Sequence, residues 1–270
     1  MKPVAFDYVQ PKSLEQAVRL IAENPDAKLI AGGQTLGPML NLRLVQPALL
    51  VDITRIAELT RIEDGADSLL LGACITHAAI EDRRIPDCTG GLLGEVARGI
   101  AYRAVRTRGT IGGSLAHADP AADWVTCLIL LRAEVLVSGP AGQRRELVSA
   151  FVRGALTTSL APGEIIDGIR IPKAARQRCG YAKLARKTGE FAEAIGAVAI
   201  DHERRTVRIV AGAGPGRPIV IDKQGIDPAI LQQQAVMAEW LAAAGLEGDA
   251  YARHLQVAAI VRAAERAMHA

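Results

Sequence analysis

Two glycine pairs constrain this 270-residue chain more than any other feature. They lie in Ala31-Gly32-Gly33-Gln34-Thr35 and in Thr110-Ile111-Gly112-Gly113-Ser114. Each sits near the end of an expected strand and is followed by an amide or hydroxyl side chain. Glycine has no Cβ, so successive backbone N–H groups can converge on an anion, and a hydroxyl adds one more donor. One Gly-Gly pair is most simply a turn. Two pairs of the same character can clamp a pyrophosphate from opposite sides and offset its charge with dipoles rather than lysines.

The surrounding pattern is that of a layered protein large enough for two domains. Residues 13–24 place Leu14, Ala17, Val18 and Ile21 at helical spacing behind a capping box of Ser13 and Gln16. Lys28 to Ile30 and Ala48 to Ile53 read as strands flanking the first glycine loop and a short helix. Strands on either side of Asp64-Gly65, a helix from Thr76 and an amphipathic helix over 90–101 follow. Asp119-Pro120 reads as the N-cap and first residue of a helix reaching Arg132. AEVLVSG and RRELVSAF read as a hairpin around residues 139–142, and IIDGIRIP as a strand. A boundary is expected near 173–180. Beyond it, three strands with a turn at 202–205 imply an antiparallel sheet, and Ala-rich helices over about 228–244 and 249–268 imply a layer packed on it.

Several classes of function are excluded or unsupported. The glycines at 212, 214 and 216 run into Arg217-Pro218, so the dinucleotide fingerprint is absent, as are the phosphate-loop and nucleophile-elbow motifs. Cys74, Cys88, Cys127 and Cys179 are too dispersed for a cluster or disulfide framework, and the five histidines form no metal-binding pair. The cysteines read as buried small hydrophobes rather than ligands. A formal charge of +3 with 50% hydrophobic residues fits a globular protein without a nucleic-acid arm. No apolar run approaches the ~18 residues of a membrane span, and Pro3, Asp7 and Pro11 break the N-terminal segment before a secretory signal develops. A cytoplasmic location is expected.

The strings AGGQTLGPMLNLRL with PALLVDI, and RGTIGGSLAHADPAAD, resemble the signature loops of the FAD-binding medium subunit of the molybdenum hydroxylases. This family includes carbon monoxide dehydrogenase medium subunits and xanthine dehydrogenase flavin domains. YAKLARKTGEFAEAIGAVAI and GAGPGRP resemble its C-terminal flavoprotein domain, so the resemblance spans essentially the whole chain. It implies an α+β fold: a FAD-binding domain of the vanillyl-alcohol oxidase-like type over 1–175, in two subdomains of about 1–55 and 56–175. A smaller domain over 176–270 follows, with a three-stranded antiparallel sheet and helices.

The resemblance also implies site residues. Ile30, Ala31, Gly32, Gly33, Gln34, Thr35 and Leu36 would face the diphosphate and ribityl chain. Thr110, Gly112, Gly113 and Ser114 would hold the diphosphate from the other side, with Asp123 a polar contact further on. Asp119 matches a contact position and reads equally well as the helix N-cap, and His117 reads as a contact or as a histidine satisfied by backbone. Ile165 or Ile166 matches an apolar contact, Lys183 a basic one, and Phe191 a wall for the isoalloxazine ring. Two departures from the pattern stand out: Thr35 where relatives carry Ser, and Ala104-Val105-Arg106-Thr107 where they carry Gln-Val-Arg-Asn.

The function implied is that of a non-covalent FAD carrier at the electron exit of a complex. A large subunit would hold the molybdenum cofactor and a small one two [2Fe–2S] clusters, assembled as a dimer of heterotrimers. Four dispersed cysteines cannot ligate two such clusters, which usually need eight thiolates, so partners must supply them. A stand-alone FAD oxidase and a nucleotide-binding assembly module are the alternatives.

Overall fold

The computed structural model describes residues 2–174 and 176–270. The expected division between 175 and 176 falls on Ala175, outside the described residues. Three strands, β1 (Asp7–Val9), β2 (Lys28–Ile30) and β3 (Leu49–Asp52), form a parallel sheet in the order β1-β3-β2. Parallel neighbours require crossovers. Helices α1 (Leu14–Glu23) and α2 (Leu36–Asn41) lie in these connections. Ser13 Oγ caps α1 by accepting from Gln16 N at 3.2 Å, and Gln16 Oε1 accepts in turn from Lys12 N, one residue earlier than in the usual reciprocal box.

The second sheet is antiparallel. It contains β4 (Ile62–Asp64), β5 (Ser68–Gly72), β6 (Glu134–Gly139) and β7 (Gly142–Leu147). After the short pair β8 (Val152–Gly154) and β9 (Thr157–Thr158), it gains β10 (Ile165–Pro172) at its centre, in the order β4-β5-β10-β6-β7. Helices α3 (His77–Glu81), α4 (Leu92–Gly99), α5 (Arg103–Arg106), α6 (Ile111–His117) and α7 (Asp123–Leu130) separate β5 from β6. The second half of RRELVSAF is not strand: Val148–Phe151 forms the helical turn α8. Val148 and Phe151 are both fully buried. At i and i+3 they share a face only in a helix, because a strand would turn them to opposite sides. Helix α7 starts at Asp123, later than Asp119-Pro120 suggested, because Asp119 Oδ1 closes a local turn by accepting from Ala121 N at 2.9 Å.

The third sheet has four strands rather than three: β11 (Gln177–Leu184), β12 (Ala194–Asp201), β13 (Thr206–Gly212) and β14 (Ile219–Gln224), in sequential antiparallel order. Helices α9 (Gln234–Ala243) and α10 (Ala250–His269) cover it. The Ala content of α10 has a steric cause. A Cβ on Gly180 of β11 would lie 2.0 Å from Ala263 O, and one on Gly196 of β12 would lie 2.4 Å from Ala259 O. Helix and strands touch backbone to backbone, and Ala259, Ala263 and Ala267 are fully buried there. On the sheet's other side lies α7, every residue of which is buried. Its Thr126 occupies the space a Cβ on Gly212 would need.

Candidate functional site

A cavity of about 660 Å³ opens where the parallel sheet, the second sheet and the start of the third meet. Ala31 to Leu36 form one wall, and Thr110, Gly112, Gly113, Ser114, His117, Asp119 and Asp123 form a second. Ile165 and Ile166 contribute apolar surface from β10, and Lys183 and Phe191 come from β11 and the loop after it. Ile30 alone of the expected contacts is not on the wall. Its side chain lies beneath Gly33, supporting the loop from behind.

The two glycine loops touch each other. A Cβ on Gly32 would fall 2.1 Å from Arg108 O and 2.8 Å from Gly109 Cα, and one on Gly112 would fall 2.5 Å from Ala73 Cβ. Both positions therefore need glycine for close backbone approach. Gly33 has φ +69°, a left-handed conformation that turns the chain into α2.

Their donors differ, which the similar sequences did not suggest. In the second loop the amides are used internally: Ile111 N donates to Ile75 O, Gly112 N to Ala73 O, Gly113 N to Thr110 Oγ1 and Ser114 N to Thr110 O. The second wall thus offers side-chain donors, Ser114 Oγ among them, rather than a backbone nest. In the first loop the N–H groups of Gly33, Gln34 and Thr35 make no hydrogen bond to another described residue. Three successive amides without a partner are what a nest requires.

At the far side, one carboxylate gathers two partners from the third sheet. Tyr181 Oη donates to Asp123 Oδ1 at 2.7 Å, and Lys183 Nζ donates to Asp123 Oδ2 at 3.0 Å and to Gly99 O at 3.2 Å. Burial, with the Asp123 carboxylate adding to it, pushes the Tyr181 phenol well above its ordinary value. Lys183 is thus a compensated ammonium rather than a free one. Phe191 is 69% exposed and lines the mouth, so it is not a core residue. Glu164 also lines the cavity. Arg144 grips both of its oxygens at 2.7 Å and holds its carboxyl below the usual carboxylate range.

The sequence departures at 104 and 107 point away from the site: Ala104 and Thr107 are exposed, while Val105 between them lines the cavity. Arg106 is retained, and its guanidinium joins Glu81 to the carbonyls of Ile100 and Ala101, fixing a turn on the cavity wall. Sequence reasoning missed His77, whose ring lies on the wall beside Gly109. The available signal was its place directly after the helix-capping Thr76 at the end of an apolar strand. The four cysteines form no disulfide, and burial pushes Cys74 up to about 12 and Cys179 to about 11, away from the thiolate form that reacts.

Residues 4–174 match the family described as the FAD binding domain in molybdopterin dehydrogenase. The caffeine dehydrogenase subunit beta of Pseudomonas sp. strain CBB1 is 37% identical over 211 residues, covering 77% of this chain and 71% of that protein. The carbon monoxide dehydrogenase medium chain of Hydrogenophaga pseudoflava is 39% identical over 209 residues, covering 77% and 73%. Among solved structures, carbon monoxide dehydrogenase from Hydrogenophaga pseudoflava superposes with a TM-score of 0.89 at 33% identity, over 100% of this chain and 99% of the matched one. Quinoline 2-oxidoreductase from Pseudomonas putida 86 gives 0.87 at 33% identity, over 99% and 100%.

The chain belongs to the family of molybdopterin dehydrogenase FAD-binding proteins, and its cofactor is FAD. The walls fit that group. The cavity lies in the size range of small-molecule sites. Its two glycine loops meet in backbone contact that a Cβ on Gly32 would break, the first loop leaves three amides without a partner among the described residues, and hydroxyl and ammonium donors lie elsewhere on the lining.

Proposed function

We propose that this chain is the FAD-carrying electron-transfer subunit of a multi-subunit molybdenum hydroxylase. It would pass electrons from [2Fe–2S] clusters on a small partner, fed by a large molybdenum cofactor subunit, to an external acceptor. The relatives named as a subunit beta and a medium chain support a complex of this kind. Assembly as a dimer of heterotrimers, and a division into 1–175 and 176–270, belong to the same reading.

The observation that carries the proposal is the cavity between two glycine loops that touch through Gly32 and Gly109, with charged and aromatic groups at its far side. Non-covalently bound FAD supplies the ability to exchange electrons singly and release them in pairs. The chain's residues provide the rest. Gly33, Gln34 and Thr35 present amides to the diphosphate, and Ser114 presents a hydroxyl. Ile165 and Ile166 exclude water from the apolar portion. Lys183, held by Asp123, sets the local charge, and Phe191 shields one face of the ring.

The test uses the complex isolated with its natural partners. It should contain one FAD per copy of this chain. Stripping the flavin should leave reduction of the iron–sulfur absorption by substrate intact while abolishing delivery of electrons to an added acceptor. Undiminished delivery after complete deflavination would contradict the proposal.

A further inference from the structure

We propose that His77 is a cofactor-binding residue that donates a hydrogen bond from its Nε2–H to the FAD diphosphate, which rests on the FAD reading above. Its position carries the inference. Its Nε2 edge lies against Gly109, because a Cβ built on Gly109 would meet His77 Nε2 and Cδ2 at 2.8 Å. Gly109 is also the residue whose Cα a Gly32 Cβ would strike. His77 therefore stands where the two glycine loops meet, and both His77 and Gly109 are on the cavity wall.

The tautomer is set by a neighbour. Trp124 Nε1 donates to His77 Nδ1 at 3.0 Å, and an indole N–H can only donate. Nδ1 is thus an acceptor, which leaves the ring proton on Nε2. Trp124 is fully buried within α7, so the ring is held from behind by the packed centre of the fold. The His77 backbone is fixed as well, its N–H donating to Gly109 O at 2.9 Å.

Nε2–H has no partner among the described residues, and His77 is only 5% exposed. Among the described residues only Thr126 Oγ1 is a fully enclosed side-chain polar atom without a partner, so Nε2 is not sealed in the core but keeps access to the cavity that His77 lines, where an acceptor can meet it. The second loop makes the need specific. With its amides consumed internally, that wall requires side-chain donors to face an anion, and His77 joins Ser114, Thr110 and His117 among those that line it. Burial, with the Arg106 charge adding to it, pushes the imidazole down to about 4, so it binds as a neutral donor throughout the physiological range.

The experiment titrates the deflavinated full-length chain with FAD, following flavin fluorescence, in the parent and in His77→Phe and His77→Gln. His77→Phe keeps a planar ring without the donor and should weaken binding about ten-fold or more, the range of a hydrogen bond to a charged acceptor. His77→Gln, whose amide restores a donor, should recover most of the loss. Equal affinity in the parent and His77→Phe, or equal losses in both variants, would overturn the proposal. Failure of the parent itself to bind FAD would overturn the underlying reading instead. Should His77→Phe not fold, the parent still decides. With 15N-labelled histidine, the His77 Nε2–H signal should show scalar coupling to 31P once FAD is bound, and its absence in the flavin-saturated protein would refute the contact.

Discussion

The Tyr181 hydroxyl donates to Asp123 at 2.7 Å in a buried site and so ties the third sheet to the first residue of α7. Lys183, two residues along the same strand face, takes the other carboxylate oxygen. The lysine and aspartate side chains are 13% and 6% exposed. Removing one member of such a pair leaves the other charge buried and unmatched, which costs roughly 3–5 kcal/mol. Asp123→Asn should destabilise by that amount in denaturant unfolding, and Lys183→Met by a similar amount. The double variant Asp123→Asn/Lys183→Met should be more stable than either. Strict additivity of the two losses would show that the pair is not coupled.

The same pair governs charge beside the cofactor. Lys183→Met should lower the flavin midpoint potential, because it exposes the reduced ring to an uncompensated carboxylate. The double variant should bring the potential back toward the parent's. Redox titration of the flavin in both proteins distinguishes this from a merely structural lysine, which would leave the potential unchanged.

Glycines of the second loop separate folding from binding. A Cβ on Gly112 would collide with Ala73, backbone included, whereas one on Gly113 meets only Thr110 Oγ1 and otherwise projects from an exposed position on the wall. Gly112→Val should reduce soluble yield and thermal stability. Gly113→Val must displace the Thr110 cap, so it should lose some stability, less than Gly112→Val, and should fold but lose FAD. Full flavin content in Gly113→Val would remove this loop from the site.

Phe191 is exposed at the cavity mouth, so truncating it removes little core contact. Phe191→Ala should leave unfolding free energy within about 0.5 kcal/mol of the parent. It should also raise quenching of the bound flavin by a soluble quencher and alter its visible spectrum. An unchanged spectrum and unchanged quenching would assign the residue to the outer surface alone.

Stability of the flavin-free chain should depend on pH through His77. Its folded-state value of about 4 lies below the ordinary 6.5, so the unfolded chain binds the proton more readily. The contribution is fully present above pH 6.5 and is lost as pH falls toward 4, amounting to about 3 kcal/mol. His77→Gln should flatten that part of the stability profile, measured by denaturant unfolding between these limits. An unchanged slope would place the titration elsewhere.

What the sequence disclosed and what it hid follow from the range of the interactions involved. The glycine loops were legible because close backbone approach and the left-handed turn at Gly33 can be met by few other residues. Helix α1 was legible because Ser13 and Leu14 to Ile21 carry cap and face within one segment. Strand β14 was missed because it follows Gly214-Pro215-Gly216-Arg217-Pro218 and, as an edge strand, has Ile221 as its one buried residue. The internal use of the second loop's amides depends on carbonyls of Ala73 and Ile75, far away in sequence. His77 depends on Trp124, 47 positions further on, to set its tautomer. Nor does any local pattern announce that Lys183 is neutralised by Asp123.

The account rests on FAD occupying the cavity between the two loops, and flavin stoichiometry tests this most directly. The full-length chain, isolated with its partners and then precipitated with acid, should release close to one FAD per chain into the supernatant, with no yellow colour left in the pellet. Gly113→Val prepared in the same way should release almost none. A parent chain that yields no FAD and binds none on titration would contradict the account, as would colour that stays with the precipitated protein.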